Sequence, residues 1–144
     1  MKKLLLSLLV MGVAPVLAHE IEKDGNVGAL IHIEPDDAPV VGNNTTWFEV
    51  NQKGGIPITL KNCTCNLQVF AGSYKAGVKA QSSPKLVMDG KHLKATVKLP
   101  KNGAYTLVLS GIPKAGATFN KFTLQWVVRT GVSNEDEEHG HDHQ

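Results

Sequence analysis

Apolar and polar residues alternate along most of the chain between positions 19 and 129. The segment NVGALIHIE is typical, because every second residue is apolar: Val27, Ala29, Ile31 and Ile33. This two-residue period is that of a β-strand with one buried face. Clusters of Gly, Pro, Asn and Asp separate the runs and favour turns. The pattern predicts strands joined by turns, and it contains no amphipathic helix.

The parity of the apolar positions slips once in the middle of the chain. The segment IPITL has Ile56, Ile58 and Leu60 in step and reads as a short strand, whereas the next run has Cys63, Cys65, Leu67 and Val69 in step. A strand cannot change its buried face without a turn or a bulge. We therefore expect a turn or a bulge at Lys61–Asn62.

The clearest hairpin signal is PKLVMDGKHLKATVKL, with Asp89–Gly90 as the expected central residues of a type I′ turn. The last run, FNKFTLQWVVR, has Phe122, Leu124, Trp126 and Val128 on one face. About seven or eight such strands predict an all-β fold, an immunoglobulin-like β-sandwich of two sheets. A small closed barrel is the rival architecture.

The first eighteen residues read as a signal peptide. Lys2 and Lys3 precede an apolar run that is too short to span a bilayer, and Val16 and Ala18 are the small residues of a cleavage site. We expect cleavage after Ala18, a sandwich domain over 19–129 and a tail over 130–144. The product would be periplasmic or secreted, with no membrane anchor after cleavage.

Charge is uneven along the expected domains. The chain has 15 Lys and Arg against 13 Asp and Glu, but residues 130–144 carry only acidic groups. We expect this tail to be disordered, because it lacks apolar periodicity. The basic residues of the domain form no block interleaved with aromatic residues, so nothing indicates nucleic-acid binding.

Enzyme motifs are missing from the sequence. It has no G-x-S-x-G, no H-E-x-x-H and no phosphate-binding glycine loop. A copper oxidase is disfavoured because only 6% of the residues are aromatic. We therefore expect a binding protein rather than an enzyme.

Six histidines and two cysteines supply the available metal-ligand chemistry. The tail segment EEHGHDHQ carries three imidazoles among carboxylates, a composition that collects copper, zinc or nickel loosely. These residues are His139, His141 and His143.

The motif NCTCN leaves three possibilities open for Cys63 and Cys65. An oxidising compartment favours a disulfide, although side chains two residues apart on a regular strand are poorly placed for one. The two thiolates could instead bind Cu(I) or zinc. They could also be two small buried apolar residues.

Three further histidines could form a nitrogen site. After cleavage, the α-amino group and imidazole of His19 could chelate Cu(II), and one histidine from the domain would add a third nitrogen. His32 and His92 are the candidates for that role, because both lie on the polar faces of their strands.

The signal peptide, the N-terminal His19 and the P-x-D turn after the first strand resemble the periplasmic copper carriers of the CopC type. The segments GGIPITL and NGAYTLVLSG are similar to YtkA-like exported β-sandwich domains. The late Asp-x-His pair of the copper carriers has no counterpart in the final strands here. The resemblance implies monomeric copper binding and delivery without catalysis.

The sequence therefore favours an exported transition-metal protein for storage, delivery or detoxification, with copper, or alternatively zinc, as its ion. The alternative is a structural or adaptor module of an envelope complex, stabilised by a Cys63–Cys65 bridge. An envelope protein would be its partner, and Trp47 a contact residue.

Overall fold

The computed structural model describes residues 21–131 and contains two antiparallel sheets. Over this range the chain forms nine strands and no helix, so it contains no helix that could cross a membrane. The strands are β1 (Ile21–Asp24), β2 (Val27–Ile33), β3 (Gly42–Gln52), β4 (Ile56–Pro57), β5 (Cys63–Ala71), β6 (Val87–Asp89), β7 (His92–Leu99), β8 (Ala104–Pro113) and β9 (Phe122–Arg129).

The larger sheet has the order β1-β2-β3-β7-β6, with β4 paired to β3, and the smaller sheet has the order β5-β8-β9. This arrangement confirms the predicted all-β class and is that of a β-sandwich. The sequence predicted seven or eight strands, and the short strand β1 was missed because it has no apolar alternation. Its four residues are exposed or half-buried, and they are held by pairing with β2.

The core lies between the two sheets and is built from alternate residues of each strand. In β2 the buried positions are the four that the sequence predicted. Phe48 from the larger sheet meets Trp126 from the smaller one, with ring centroids 5.3 Å apart, and both side chains are almost completely buried. Such aromatic pairs contribute about 0.5–1.5 kcal/mol beyond the area that they bury.

The predicted strand IPITL is wrong in its extent. Only Ile56–Pro57 pair with β3, and the Ile56 side chain is 53% exposed whereas that of Ile58 is completely buried. The following turn interrupts the alternation, because Asn62 accepts a hydrogen bond from the Thr59 amide through Oδ1 at 2.8 Å. The turn covers residues 60–62 and so includes Lys61–Asn62, where the parity slip predicted it.

The β6–β7 hairpin is present, but its predicted turn is displaced by one residue. Asp89 is paired with His92, so Gly90 and Lys91 are the central residues of the turn. Gly90 adopts a φ of 60°, in the left-handed region that glycine enters without a steric penalty.

Both ends of the described chain lie at one end of the sandwich. The last residue of β2, Ile33, is paired with Thr46 near the start of β3, and Arg129 at the end of β9 is paired with Ala104. Ile21 enters along β2 opposite Leu30. We call this end, with the 34–41 loop and the 100–103 turn, the terminal end.

Gly111 occupies a position in β8 where no side chain fits. A Cβ there would lie 2.3 Å from Cε1 of Phe122 and 2.8 Å from Sγ of Cys63. Because both neighbours are buried, the strand could accept a methyl group only by shifting them.

We predict that Gly111→Ala lowers the free energy of unfolding by about 1–3 kcal/mol through overpacking. Urea unfolding followed by tryptophan fluorescence measures this loss. Gly28→Ala is the matched control, because a Cβ there meets its nearest atom at 3.8 Å. Equal stability of the two variants would contradict the overpacking explanation.

Candidate functional site

An aromatic stack crosses the outer face of the larger sheet. His32 in β2 is directly opposite Trp47 in β3, and the two rings stack with centroids 4.0 Å apart. His92 in β7 stacks on the same indole at 4.4 Å. All three side chains are half-buried, which agrees with the predicted polar-face positions of the two histidines.

The indole separates the two imidazoles rather than bringing them together. Because β3 lies between β2 and β7, His32 and His92 occupy opposite faces of Trp47. Their centroids are therefore about 8 Å apart, whereas two nitrogens bound to one ion, each at about 2.0–2.1 Å, lie within roughly 4 Å of each other. His32 and His92 can each serve a site, but not the same one.

A carboxylate lies beside one of the two histidines. Oδ1 of Asp37 is 3.4 Å from Nδ1 of His32, and both side chains are mostly buried, with 17% and 21% exposure. A carboxylate at one ring nitrogen favours the tautomer that carries the proton there, which leaves the lone pair on the other nitrogen, Nε2. This is the usual arrangement around a metal-binding histidine.

The turn after β2 fixes the position of that carboxylate. Asp37 Oδ1 accepts a hydrogen bond from the Ile33 amide at 2.8 Å, and the Asp37 amide donates to the Ile33 carbonyl at 2.7 Å. The φ of Asp37 is 60°, a left-handed conformation that Asp tolerates better than most residues. The P-x-D pattern in the sequence indicated this turn, but nothing in the sequence indicated a role for Asp37.

Within residues 21–131, no group of three or more His, Cys, Asp or Glu side chains is arranged to hold a metal ion. His19 and the tail histidines His139, His141 and His143 lie outside the described residues. A complete metal site would therefore combine donors of the described domain with donors from outside it.

Cys63 and Cys65 are joined by a disulfide. Their Cα atoms are 5.4 Å apart, whereas residues two apart on a regular strand are separated by about 6.6 Å. The start of β5 is therefore contracted, a departure from regular geometry that the sequence could not reveal. Cys63 is buried and Cys65 half-buried, and in this state neither sulfur is a thiolate ligand.

The bridge lies within one strand, so it does not connect the two sheets. A disulfide stabilises a fold mainly by lowering the conformational entropy of the unfolded chain. For a closed loop of three residues this stabilisation is only about 1.6 kcal/mol. The stability of the fold therefore depends on its core more than on this bond.

Comparison with protein-family profiles, curated proteins and solved structures finds no match to this chain.

We predict that reducing the disulfide leaves the all-β fold intact and lowers the free energy of unfolding by about 1–2 kcal/mol. Circular dichroism and urea unfolding with and without a phosphine reductant measure the effect, with Cys63→Ala/Cys65→Ala as a reductant-insensitive control. Unfolding on reduction alone would show that the bond holds the fold together.

We predict that Asp37→Asn is almost neutral for stability, because Asn keeps the acceptor oxygen and tolerates the left-handed φ. Asp37→Ala should cost about 1–3 kcal/mol, because it leaves the Ile33 amide without its acceptor and strains the backbone. Thermal unfolding of the two variants tests the turn. If both lose the same stability, the left-handed turn is not what Asp37 provides.

Proposed function

We propose that this chain is an exported, non-catalytic carrier of a transition-metal ion, with copper as its cargo, built on an immunoglobulin-like sandwich. It would serve storage, delivery or detoxification in the periplasm or outside the cell. The contact between His32 and Asp37 carries the proposal, because a carboxylate beside one ring nitrogen is the usual partner of a metal-binding imidazole.

The strand register supports His19 as the second contributor. Ile21 of β1 is paired with Leu30 and Glu22 with Ala29. Two more steps in the same register would pair position 19 with His32. Side chains directly opposite each other on antiparallel strands share a face, with Cβ atoms about 4.5–5.5 Å apart. An α-amine and two imidazoles at that spacing suit one copper ion.

The local charge also favours a cation. The turn after β2 carries Glu34 and Asp36 in addition to Asp37, and the first two side chains are exposed. Clustered carboxylates raise the local concentration of cations and accelerate their association. Copper and zinc both accept imidazole ligands, and Cu(II) binds the more tightly at a given site of this type.

The adaptor function is the competing proposal. It assigns a stabilising role to the Cys63–Cys65 bridge, but a ring of three residues contributes little stability. It also uses Trp47 as a contact residue, whereas both faces of that indole are stacked against histidines. Metal binding therefore has the stronger support.

Copper titration of the chain that begins at His19 tests the proposal. At neutral pH we expect Cu(II) to bind with sub-micromolar affinity and to quench Trp47, whose ring stacks on His32, more than the buried Trp126. His32→Ala should weaken binding at least about tenfold, and so should one extra glycine before His19.

Two controls separate this site from the others. His92→Ala removes the imidazole on the far side of Trp47 and should leave the affinity within about threefold. The triple variant His139→Ala/His141→Ala/His143→Ala should remove only weak, additional binding. The proposal fails if His32→Ala binds copper as the parent does, or if the parent binds neither copper nor zinc at sub-micromolar concentration. Co-purification of a stoichiometric protein partner without metal would favour the adaptor.

A further inference from the structure

The charged residues of the chain are divided by sequence position. Residues 21–49 contain six acidic groups and one basic group, Lys23, whereas residues 50–131 contain twelve basic groups and one acidic group, Asp89. The final segment, 132–144, has five acidic groups and no Lys or Arg. An acidic segment thus follows directly on the basic part of the domain.

The connection between β5 and β6, residues 72–86, belongs to that basic region and is exposed throughout residues 72–79. We call it the lysine loop, because it carries Lys75, Lys79 and Lys85, all exposed, and no acidic residue. Tyr74 and Val78 lie among these lysines and are 37% and 52% exposed. The loop therefore offers apolar side chains as well as positive charges to a partner.

The lysine loop and the acidic segment leave the fold close together at the terminal end. The amide of Gly72 donates to the carbonyl of Ala104 at 2.8 Å, and the amide of Thr130 donates to the carbonyl of Gly103 at 3.0 Å. The lysine loop and the acidic segment therefore begin on either side of the first residues of β8. Two strand spacings, about 10 Å, separate them.

We propose that the acidic segment 132–144 docks on the lysine loop of the same molecule and covers Tyr74 and Val78. Glu135 lies four residues beyond Gly131 and Glu138 seven, so extended chain reaches about 14 and 24 Å from the fold, enough to span the loop. Single exposed ion pairs contribute little, but several charges tethered close to their partners act at a high effective concentration.

One alternative position for the segment, the 34–41 loop, is disfavoured by charge. The 34–41 loop also lies at the terminal end, but it carries Glu34, Asp36 and Asp37 and would repel carboxylates. Docking on the lysine loop would hold the tail on the side of the smaller sheet, away from His32. The docking rests on carboxylates and lysines and not on the histidines of the segment, so it does not depend on the metal proposal.

Zero-length carbodiimide crosslinking of the chain from residue 19 to 144 tests the docking. At about 10 mM salt, mass spectrometry of the monomer band should find the segment's carboxylates joined to Lys75, Lys79 or Lys85. The yield should fall severalfold at 0.5 M salt, where charge interactions are screened beyond about 4 Å. Trypsin should cleave after Lys75 more slowly in the parent than in Glu135→Gln/Asp136→Asn/Glu137→Gln/Glu138→Gln.

The matched control removes the same number of positive charges at a different place on the domain. Lys75→Gln/Lys85→Gln leaves Lys79 as the one amine of the lysine loop and should lower the yield of its crosslinks to the segment severalfold. Lys53→Gln/Lys121→Gln, which changes exposed lysines at the opposite end of the sandwich, should preserve that yield. Three results would overturn the proposal: no crosslink at low salt, crosslinks spread evenly over all lysines, or crosslinks confined to a dimer band, which would assign the loop to a second copy.

Discussion

The antiparallel register between β2 and β3 is the constraint on which the rest of the molecule depends. It pairs Ile31 with Phe48 on the core side and His32 with Trp47 on the outer side. A slip of one residue would exchange the two faces, exposing the apolar row and burying the imidazole. The free-energy cost of exposing the apolar row therefore fixes the positions of His32 and Trp47 in the aromatic stack. Burial of one face therefore determines the chemistry of the other, although the two share no side-chain contact.

The same register explains which features of the fold could be predicted from the sequence and which could not. The two-residue period predicted the all-β class, the buried rows and the outward positions of His32 and His92, because each depends only on neighbours along one strand. Trp47 could not be placed between the histidines, because that requires knowing which strands are adjacent. Asp37 was missed for a related reason, since its role depends on a left-handed turn that folds the chain back on β2.

The state of the cysteine pair is the clearest example of a feature that the sequence could not predict. Spacing alone left a disulfide, a thiolate pair and two buried apolar residues open, because the choice depends on whether the strand contracts between the two positions. The Cα separation of 5.4 Å decides in favour of the bond. Gly111, directly opposite Cys65, leaves room for Sγ of Cys63 and the Phe122 ring. The disulfide links residues that are close in the sequence, but its packing involves residues of three strands, β5, β8 and β9.

The terminal end also has a consequence for how such a domain can be combined with others. Both ends of the described chain leave from one pole, so a fused partner or a tether would attach there without crossing either sheet. The opposite end includes tight connections such as the turn around Gly54 and Gly55, whose residues are exposed. Exposed turns of this kind tolerate inserted sequence best. The domain can therefore accept a fused partner at the terminal end and inserted sequence at the opposite end without a change in its strand registers.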